Sequence, residues 1–376
     1  MVTSSLSVVT CFSTMKDPRA RLGRCYHNFL DIIVIGVCGV ICGCDNWEQI
    51  GKFAEHRRPW LERFLKLPHG IPSYHTIKRV FGFLDPQAFQ RCFVDWTQAL
   101  CQQLGLAQVA IDGKTLRGSG GALGPALHLV SAWATDSHLS LGQVAVEEKS
   151  NEITAIPKLL ELLDVSGALV TIDAMGCQKE IAKAIRDQGG DYILTVKDNQ
   201  PNLVEDIHRI LTEGFESDFE GMEYDRYETE DKGHGREEIR SYTVIYNPEK
   251  IRNSDVWADL QAIGMCHSER TVQGNTSHEV RYFIGSRLAS AKCYGEALRN
   301  HWRIENCQHW QLDVSFGEDG SRIQNRNGAE NFAMLRRIAL NLLKQHPSKG
   351  SIDTKRLQAG WNTDFLEEVL HILGKI

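Results

Sequence analysis

Two short stretches, Gln108-Val-Ala-Ile-Asp112 and Leu169-Val-Thr-Ile-Asp173, decide the fold of this chain. Each is a short apolar run that ends in a carboxylate, a pattern typical of buried strands. The carboxyl ends of neighbouring parallel strands meet at one edge of a sheet, with the strands about 4.8 Å apart. The pattern therefore predicts that Asp112 and Asp173 lie side by side. Two carboxylates that close repel each other unless a cation lies between them.

The segments between and after these two runs predict an α/β core. Together with the two runs they give the order βββ-α-β-α-β, with helices covering both faces of a mixed sheet. Right-handed crossovers allow the first and fourth strands of such a sheet to lie side by side and parallel. The additional segments are predicted as strands 127–135 and 139–146, helix 155–163, helix 179–186 and strand 192–196.

The chain before this core is predicted to be helical. Residues 28–105 show apolar spacing with the period of a helix, and residues 67–72 form a turn rich in proline and glycine. Ser73 is a good N-cap for the following helix, which carries Lys78 and Arg79. A helix, a turn and a second, basic helix resemble a helix-turn-helix that contacts DNA. A plain helical bundle with solvated basic residues is the alternative.

After the core, an acidic linker at 216–231 and several strand-like runs predict a β-rich insertion. A helix over about 294–310 carries Glu305, and an amphipathic helix over about 328–344 carries Arg336 and Arg337. The expected domains are a helical DNA-binding or associated domain at 1–105, a first core part at 106–202, the insertion at 203–290, C-terminal core helices at 291–346 and a tail at 347–376.

Composition sets weaker bounds on the class of protein. The chain has 376 residues, is 42% hydrophobic and carries a net charge of −6. Residues 1–105 hold 12 Lys and Arg against 8 Asp and Glu, or +4, which leaves −10 for the remainder.

No signal peptide is evident, and the apolar run 32–44 is short enough to be a buried helix. Eleven cysteines without a secretory signal favour a reducing, cytoplasmic location. Cys38, Cys42 and Cys44 are expected to be packed thiols rather than a zinc site.

One motif near Asp112, and each of the three candidate carboxylates, has an ordinary explanation that must be considered. Gly113-Lys-Thr115 looks like the end of a phosphate-binding loop, but that motif requires a glycine where this chain has Gln108. Taken singly, Asp112 could belong to a turn, Asp173 could cap a loop and Glu305 could be solvated. Together they fit a three-carboxylate site for two Mg²⁺ ions, because Mg²⁺ prefers few protein oxygens plus water and phosphate.

Several longer motifs resemble the H-repeat-associated insertion-sequence transposases of bacteria. The resemblance extends from about residue 15 to 345. It is carried by Gly70-Ile-Pro-Ser73, Val109-Ala-Ile-Asp-Gly-Lys-Thr-Leu-Arg-Gly118, Thr171-Ile-Asp-Ala-Met-Gly-Cys-Gln178, Val196-Lys-Asp-Asn-Gln200, His234-Gly-Arg-Glu-Glu-Ile239, His301-Trp-Arg-Ile-Glu-Asn306, Leu312-Asp-Val314 and Glu318-Asp319.

The resemblance implies DDE chemistry on a ribonuclease H-like fold: DNA strand cleavage and strand transfer that depend on two Mg²⁺ ions, with Mn²⁺ as a substitute. It places the catalytic, metal-binding residues at Asp112, Asp173 and Glu305. Asp313, Glu318 and Asp319 remain alternatives for the third ligand. The implied partners are the terminal inverted repeats and a target DNA, bound by a homodimer on paired ends. A ribonuclease H-like nuclease without strand transfer and a domesticated or inactive DNA-binding relative are the other functions considered.

In better-studied relatives with a β insertion, Arg stands four residues before the glutamate, and this chain has His301 there. A further set of polar residues, spread over all the predicted domains except the tail, is expected to contact DNA. The set is Lys78, Arg79, Lys114, Arg117, Lys197, Asn199, Gln200, His234, Arg236, His301, Arg336 and Arg337.

Overall fold

The computed structural model describes residues 12–20, 25–121, 124–146, 151–233 and 235–371. These residues divide into two compact units. The first consists of Met1–Gly105, Gly113–Lys149 and Glu305–Ile376, and the second of Leu106–Asp112 and Ser150–Ile304. The chain passes between the units four times, and two of these passages lie directly after Asp112, within a strand, and directly before Glu305.

The N-terminal part of the first unit is helical, as predicted. The helix Phe29–Ile41 is capped by Asn28, whose side chain accepts a hydrogen bond from the backbone N–H of Asp31, and all but one of its residues are buried. The apolar run 32–44 is therefore a core helix, and no described helix is long and apolar enough to cross a membrane. The helices are α1 (Phe29–Ile41), α2 (Trp47–His56), α3 (Arg58–Leu61), α4 (Tyr74–Phe83) and α5 (Pro86–Leu104).

The C-terminal part of the first unit is built around one helix of 20 residues, Arg326–Gln345, in which every residue from Asn331 to Leu343 is buried. Residues 347–376 were expected to be a tail, but the described ones form two helices whose apolar side chains, including Phe365 and Leu366, join the same core. The remaining elements of the first unit are β2 (Leu127–Ala134), β3 (Leu139–Ala145), α10 (Trp310–Val314), α11 (Arg326–Gln345), α12 (Ile352–Trp361) and α13 (Thr363–His371).

A half-buried carboxyl on α11 makes the stability of this unit depend on pH. Burial raises the pKa of Glu330 to about 7; Asp85 also raises it, and Arg326 opposes the shift. Between its ordinary value near 4.5 and about 7, the folded chain retains a proton that the unfolded chain has lost. The free energy of unfolding therefore falls as the pH rises through this window.

Replacing Glu330 by Gln is expected to remove this pH dependence. The variant should match wild type below about pH 4.5 and exceed it at pH 8 by up to about 3 kcal/mol, because the pKa rises from 4.5 to about 7 and each pKa unit corresponds to about 1.4 kcal/mol. Urea denaturation at pH 5, 6, 7 and 8 measures the effect. A wild-type stability that does not fall more steeply over this range than that of the variant contradicts the assignment.

The second unit contains most of the strands of a sheet, together with helices. Strand β1 (Gln108–Leu116), which continues into the first unit, pairs in parallel with β4 (Leu169–Ile172), and β4 pairs in parallel with β5. The nine strands have the order β3-β2-β1-β4-β5-β9-β8-β7-β6. The βββ-α-β-α-β order and the mixed sheet predicted from the sequence are confirmed. The remaining core elements are α6 (Glu152–Leu160), α7 (Lys179–Asp187) and β5 (Asp191–Val196).

The β-rich insertion extends this sheet by four antiparallel strands, with β9 pairing against β5. Two details differ from the sequence prediction. Residues 201–216 form a helix, and the second half of the predicted acidic linker at 216–231 belongs to a strand at the sheet edge. The elements are α8 (Pro201–Glu216), β6 (Tyr224–Gly233), β7 (Arg236–Tyr246), β8 (Ala262–Val272), β9 (Asn275–Gly285) and α9 (Ala291–His301).

Candidate active site

The two aspartates predicted from the sequence lie on neighbouring parallel strands. In the register of β1 and β4, Ile111 is opposite Ile172. Asp112 and Asp173 directly follow these two residues in the sequence. Adjacent strands are about 4.8 Å apart. The sheet therefore presents two carboxylates together at the point where the pairing of β1 with β4 ends.

The loop after β4 fixes the Asp173 side chain. Asp173 Oδ1 accepts hydrogen bonds from the backbone N–H groups of Met175, at 3.1 Å, and Gly176, at 3.4 Å. A Cβ atom at Gly176 would lie 2.2 Å from Ile172 Cγ2, so only glycine allows this close turn. In the described part of the chain, Oδ2 of Asp173 accepts no hydrogen bond. One carboxylate oxygen is thus held by the backbone, and the other is available to a ligand.

Two polar residues after β5 brace this loop. Asn199 Nδ2 donates to the carbonyl of Ala174 at 2.7 Å, and Gln200 Nε2 donates to the carbonyl of Cys177 at 2.9 Å. Both residues were predicted to contact DNA. In the structure their amide groups connect the end of β5 to the residues that follow Asp173, which is a positioning contact that the sequence did not reveal.

The surroundings of Asp173 favour a cation. Burial raises the pKa of Asp173, and the nearby Glu152 raises it further, while the backbone N–H groups and Lys197 lower it. Glu152 is an acidic neighbour that the sequence analysis missed. The carboxylates of Asp112 and Asp173 are the oxygen ligands that Mg²⁺ prefers. The donor chemistry of the pair thus fits a divalent cation, although no described group of three or more His, Cys, Asp and Glu residues is arranged to hold one.

The helix before Glu305 covers the face of the sheet to which both aspartates point. Side chains alternate between the two faces of a strand, so Gln108 shares a face with Asp112, and Thr171 shares a face with Asp173. Both Gln108 and Thr171 hydrogen-bond to residues of α9. The last residue of α9 is four positions before Glu305 in the chain.

Glu305 itself opens a π-helical segment, Glu305–His309, in the first unit, so the single helix predicted over 294–310 is interrupted. π-helical turns are rare and often occur at functional sites. The Glu305 side chain is exposed, and it forms no ion pair within the described residues. Lys344 Nζ donates to the carbonyl of Cys307 at 2.6 Å, which attaches the segment to α11.

The three acidic alternatives to Glu305 are bound to basic residues of their own unit. Lys114 Nζ lies 2.6 Å from Asp313, 3.1 Å from Asp319 and 3.9 Å from Glu318. Arg337 forms a second ion pair with Glu318, at 3.1 Å, in which both side chains are fully buried. These carboxylates are therefore already neutralised by cations of the protein, which favours Glu305 as the third metal ligand.

Comparison with known proteins identifies the family. The transposase DDE domain family matches residues 94–342, and the DDE_Tnp_1-associated family matches residues 9–97. The chain belongs to the transposase DDE domain family. The resemblance found in the sequence motifs is thereby confirmed.

Relatives of this DDE-family protein are similar over nearly their whole length. "Putative transposase YncI" of Escherichia coli O157:H7 is 40% identical over 97% of this chain and 94% of its own. "H repeat-associated putative transposase YhhI" of Escherichia coli K12 is 38% identical over 92% of each chain. Among solved structures, a piggyBac transposase synaptic complex with hairpin DNA has 11% identity and a TM-score of 0.42, covering 98% of this chain and 81% of that one.

The residues predicted to contact DNA in this DDE-family protein divide by exposure. His234 lies outside the described residues. Four others are buried, and a buried group cannot reach a phosphate, so their predicted role is corrected. Lys114 is bound to acidic residues, and Arg337 is paired with Glu318. His301 contacts Thr171, and Arg336 lies over the Phe332 ring. The exposed basic residues of the set are Lys78, Arg79, Arg117, Lys197 and Arg236.

The cysteines of this DDE-family protein behave as packed thiols. Burial raises the pKa of Cys38 and of Cys44 to about 12, and that of Cys42 well above its ordinary value. A zinc-binding cysteine must be deprotonated. The burial of Cys38 and Cys44 agrees with the expectation that these thiols are packed in the protein interior.

Proposed function

We propose that this protein is a DDE transposase that catalyses Mg²⁺-dependent cleavage and transfer of DNA strands, with Asp112, Asp173 and Glu305 as its metal ligands. The observation that carries the proposal is the register of β1 and β4, which sets two carboxylates side by side in a chain of the transposase DDE domain family. The approach of α9 to the same face of the sheet supports Glu305 as the third ligand.

The residues of the chain have distinct tasks in this reaction. Two bound Mg²⁺ ions would activate the attacking oxygen and stabilise the leaving oxygen. The three carboxylates would hold the ions, with Asp173 oriented by two backbone N–H groups. Asn199 and Gln200 keep the loop after Asp173 in place. Because no side chain acts as the nucleophile, no covalent link between protein and DNA is expected.

DNA binding is assigned to the exposed basic residues. Lys78 and Arg79 lie on α4, which Ser73 caps by accepting a hydrogen bond from the Thr76 backbone N–H. Arg117 and Lys197 follow β1 and β5, the strands that carry or flank the aspartates. Contacts of this kind go to phosphates, so affinity should fall steeply as the salt concentration rises.

A plasmid assay tests the proposal. Purified protein is incubated with a supercoiled plasmid that carries the inverted repeats flanking its gene, together with a target plasmid. Nicking and joined products are expected with Mg²⁺ or Mn²⁺ and absent with EDTA. A plasmid in which both repeats are scrambled is the matched control. Equal cleavage of the two plasmids, or cleavage in EDTA, overturns the proposal.

The same assay separates the two other functions. A ribonuclease H-like nuclease would nick the plasmid and give no joined product. A DNA-binding relative without activity would retain the repeats in a gel-shift experiment and leave the plasmid supercoiled under all metal conditions.

A further inference from the structure

A buried polar network joins α9 to the two strands that carry the aspartates. Thr171 Oγ1 lies 3.4 Å from the Val109 carbonyl, to which it donates. The same oxygen accepts from Gln108 Nε2 at 3.2 Å and lies 3.1 Å from His301 Nδ1. Gln108 Nε2 also donates to the carbonyl of Ala297 at 2.8 Å. Gln108, Thr171 and His301 are all buried, so the contacts are shielded from water.

We infer that Thr171, Gln108 and His301 are positioning residues that fix the end of α9 against β1 and β4, and so set where the chain enters Glu305. This inference rests on the proposed function, because it gives the network a purpose in assembling the metal ligands. Thr171 is two residues before Asp173, Gln108 is four before Asp112 and His301 is four before Glu305. Each member of the network is therefore tied in sequence to one of the three carboxylates.

The chemistry of the network specifies one arrangement. Since the Thr171 hydroxyl donates its proton to Val109, its oxygen can accept from both Gln108 and the Nδ1–H of His301. Burial lowers the pKa of His301 to about 4, which keeps the imidazole uncharged at neutral pH. A charged residue at this position would lie buried without a partner.

A near-isosteric substitution tests the inference. Thr171→Val removes the hydroxyl and leaves the shape of the side chain almost unchanged, and Thr171→Ser retains the hydroxyl. Thr243→Val is the matched control, because Thr243 is buried in β7 of the same unit and takes no part in the network. For each protein, three quantities are measured: the Mg²⁺ concentration that gives half-maximal nicking, the rise in melting temperature on adding Mg²⁺, and the affinity for repeat DNA.

We expect the Mg²⁺ concentration for half-maximal nicking to be at least about tenfold higher for Thr171→Val, as is typical when a group that orients a metal ligand is lost. Its melting temperature should respond less to Mg²⁺, and its affinity for DNA should be unchanged. Thr171→Ser and Thr243→Val should keep the wild-type Mg²⁺ requirement. If Thr171→Val does not fold, His301→Asn, which retains a donor near the position of Nδ1, and His301→Leu, which has none, make the same comparison.

A Thr171→Val protein that is less stable but has the wild-type Mg²⁺ requirement overturns the inference and leaves the network a purely structural role. This outcome is distinct from failure of the proposed function. If the proposed function is wrong, the wild-type protein itself shows neither Mg²⁺-dependent nicking nor a change in melting temperature with Mg²⁺, and the inference is then wrong as well.

Discussion

An Asp112→Asn protein is expected to nick repeat-bearing plasmid at least about a hundredfold more slowly than wild type, because loss of a group that merely orients a metal ligand already costs about 10–100-fold. Asparagine has nearly the shape of aspartate and lacks the negative charge that the cations require. Folding and DNA binding should therefore be retained. Asp173→Asn and Glu305→Gln should show losses of the same order.

The control for this series is Asp187→Asn. Asp187 lies at the end of α7, where it is exposed and pairs with Lys183 at 2.7 Å, so the same chemical change is made away from the proposed site. Its nicking rate should equal that of wild type. Equal rates for Asp112→Asn and wild type would show that the aspartate pair is not the metal site. A normal rate for Glu305→Gln alone would remove Glu305 and return the choice to the acidic residues around Lys114.

The aspartate pair could be predicted because its signal is local. Val109-Ala-Ile and Val170-Thr-Ile are runs that only a buried strand accommodates easily, and each is followed directly by aspartate. Right-handed crossovers allow the two strands to be parallel neighbours, which brings the two aspartates to adjacent positions. The observed register, with Ile111 opposite Ile172, follows from the matched length of the two runs.

The edge strand β6 could not be predicted in the same way. Its residues alternate between exposed and half-buried positions and include charges of both signs, so no apolar period of two is present in the sequence. Charged residues on an edge strand discourage pairing with another molecule. The feature that makes this strand suitable for an edge is thus the feature that made it resemble a linker.

The buried basic residues were misjudged because a sequence pattern shows which residues are polar and not what surrounds them. Arg336 and Arg337 were expected to contact DNA from an amphipathic helix. In the structure, α11 is enclosed by other parts of its unit, and its neighbours include α1, α4 and β3. Lys114 was misjudged for a similar reason, since its acidic partners lie about 200 positions further along the chain.

An Arg337→Met protein is expected to lose about 3–5 kcal/mol of unfolding free energy, the usual cost of breaking a buried ion pair from one side. Arg337 and Glu318 are both fully buried, and Arg337 Nη1 lies 3.1 Å from Glu318 Oε1. Removal of the guanidinium leaves the carboxylate buried, with Lys114 at 3.9 Å as its remaining ion-pair partner among the described residues. Urea denaturation at pH 7 measures the loss, and adding Glu318→Gln to the variant should recover a large part of it.

The adjacent Arg336 supplies the matched control, because the same substitution there has the opposite physical meaning. Arg336 is also buried, but no carboxylate of the described residues lies within ion-pair distance, and its guanidinium stacks on Phe332 at 4.4 Å. Burial lowers the pKa of Arg336 to about 10, which shows that its charge is held at a cost. Arg336→Met should therefore leave the unfolding free energy within about 1 kcal/mol of wild type, or raise it. Equal destabilisation by the two substitutions would mean that helix packing, and not the ion pair with Glu318, determines the cost at both positions.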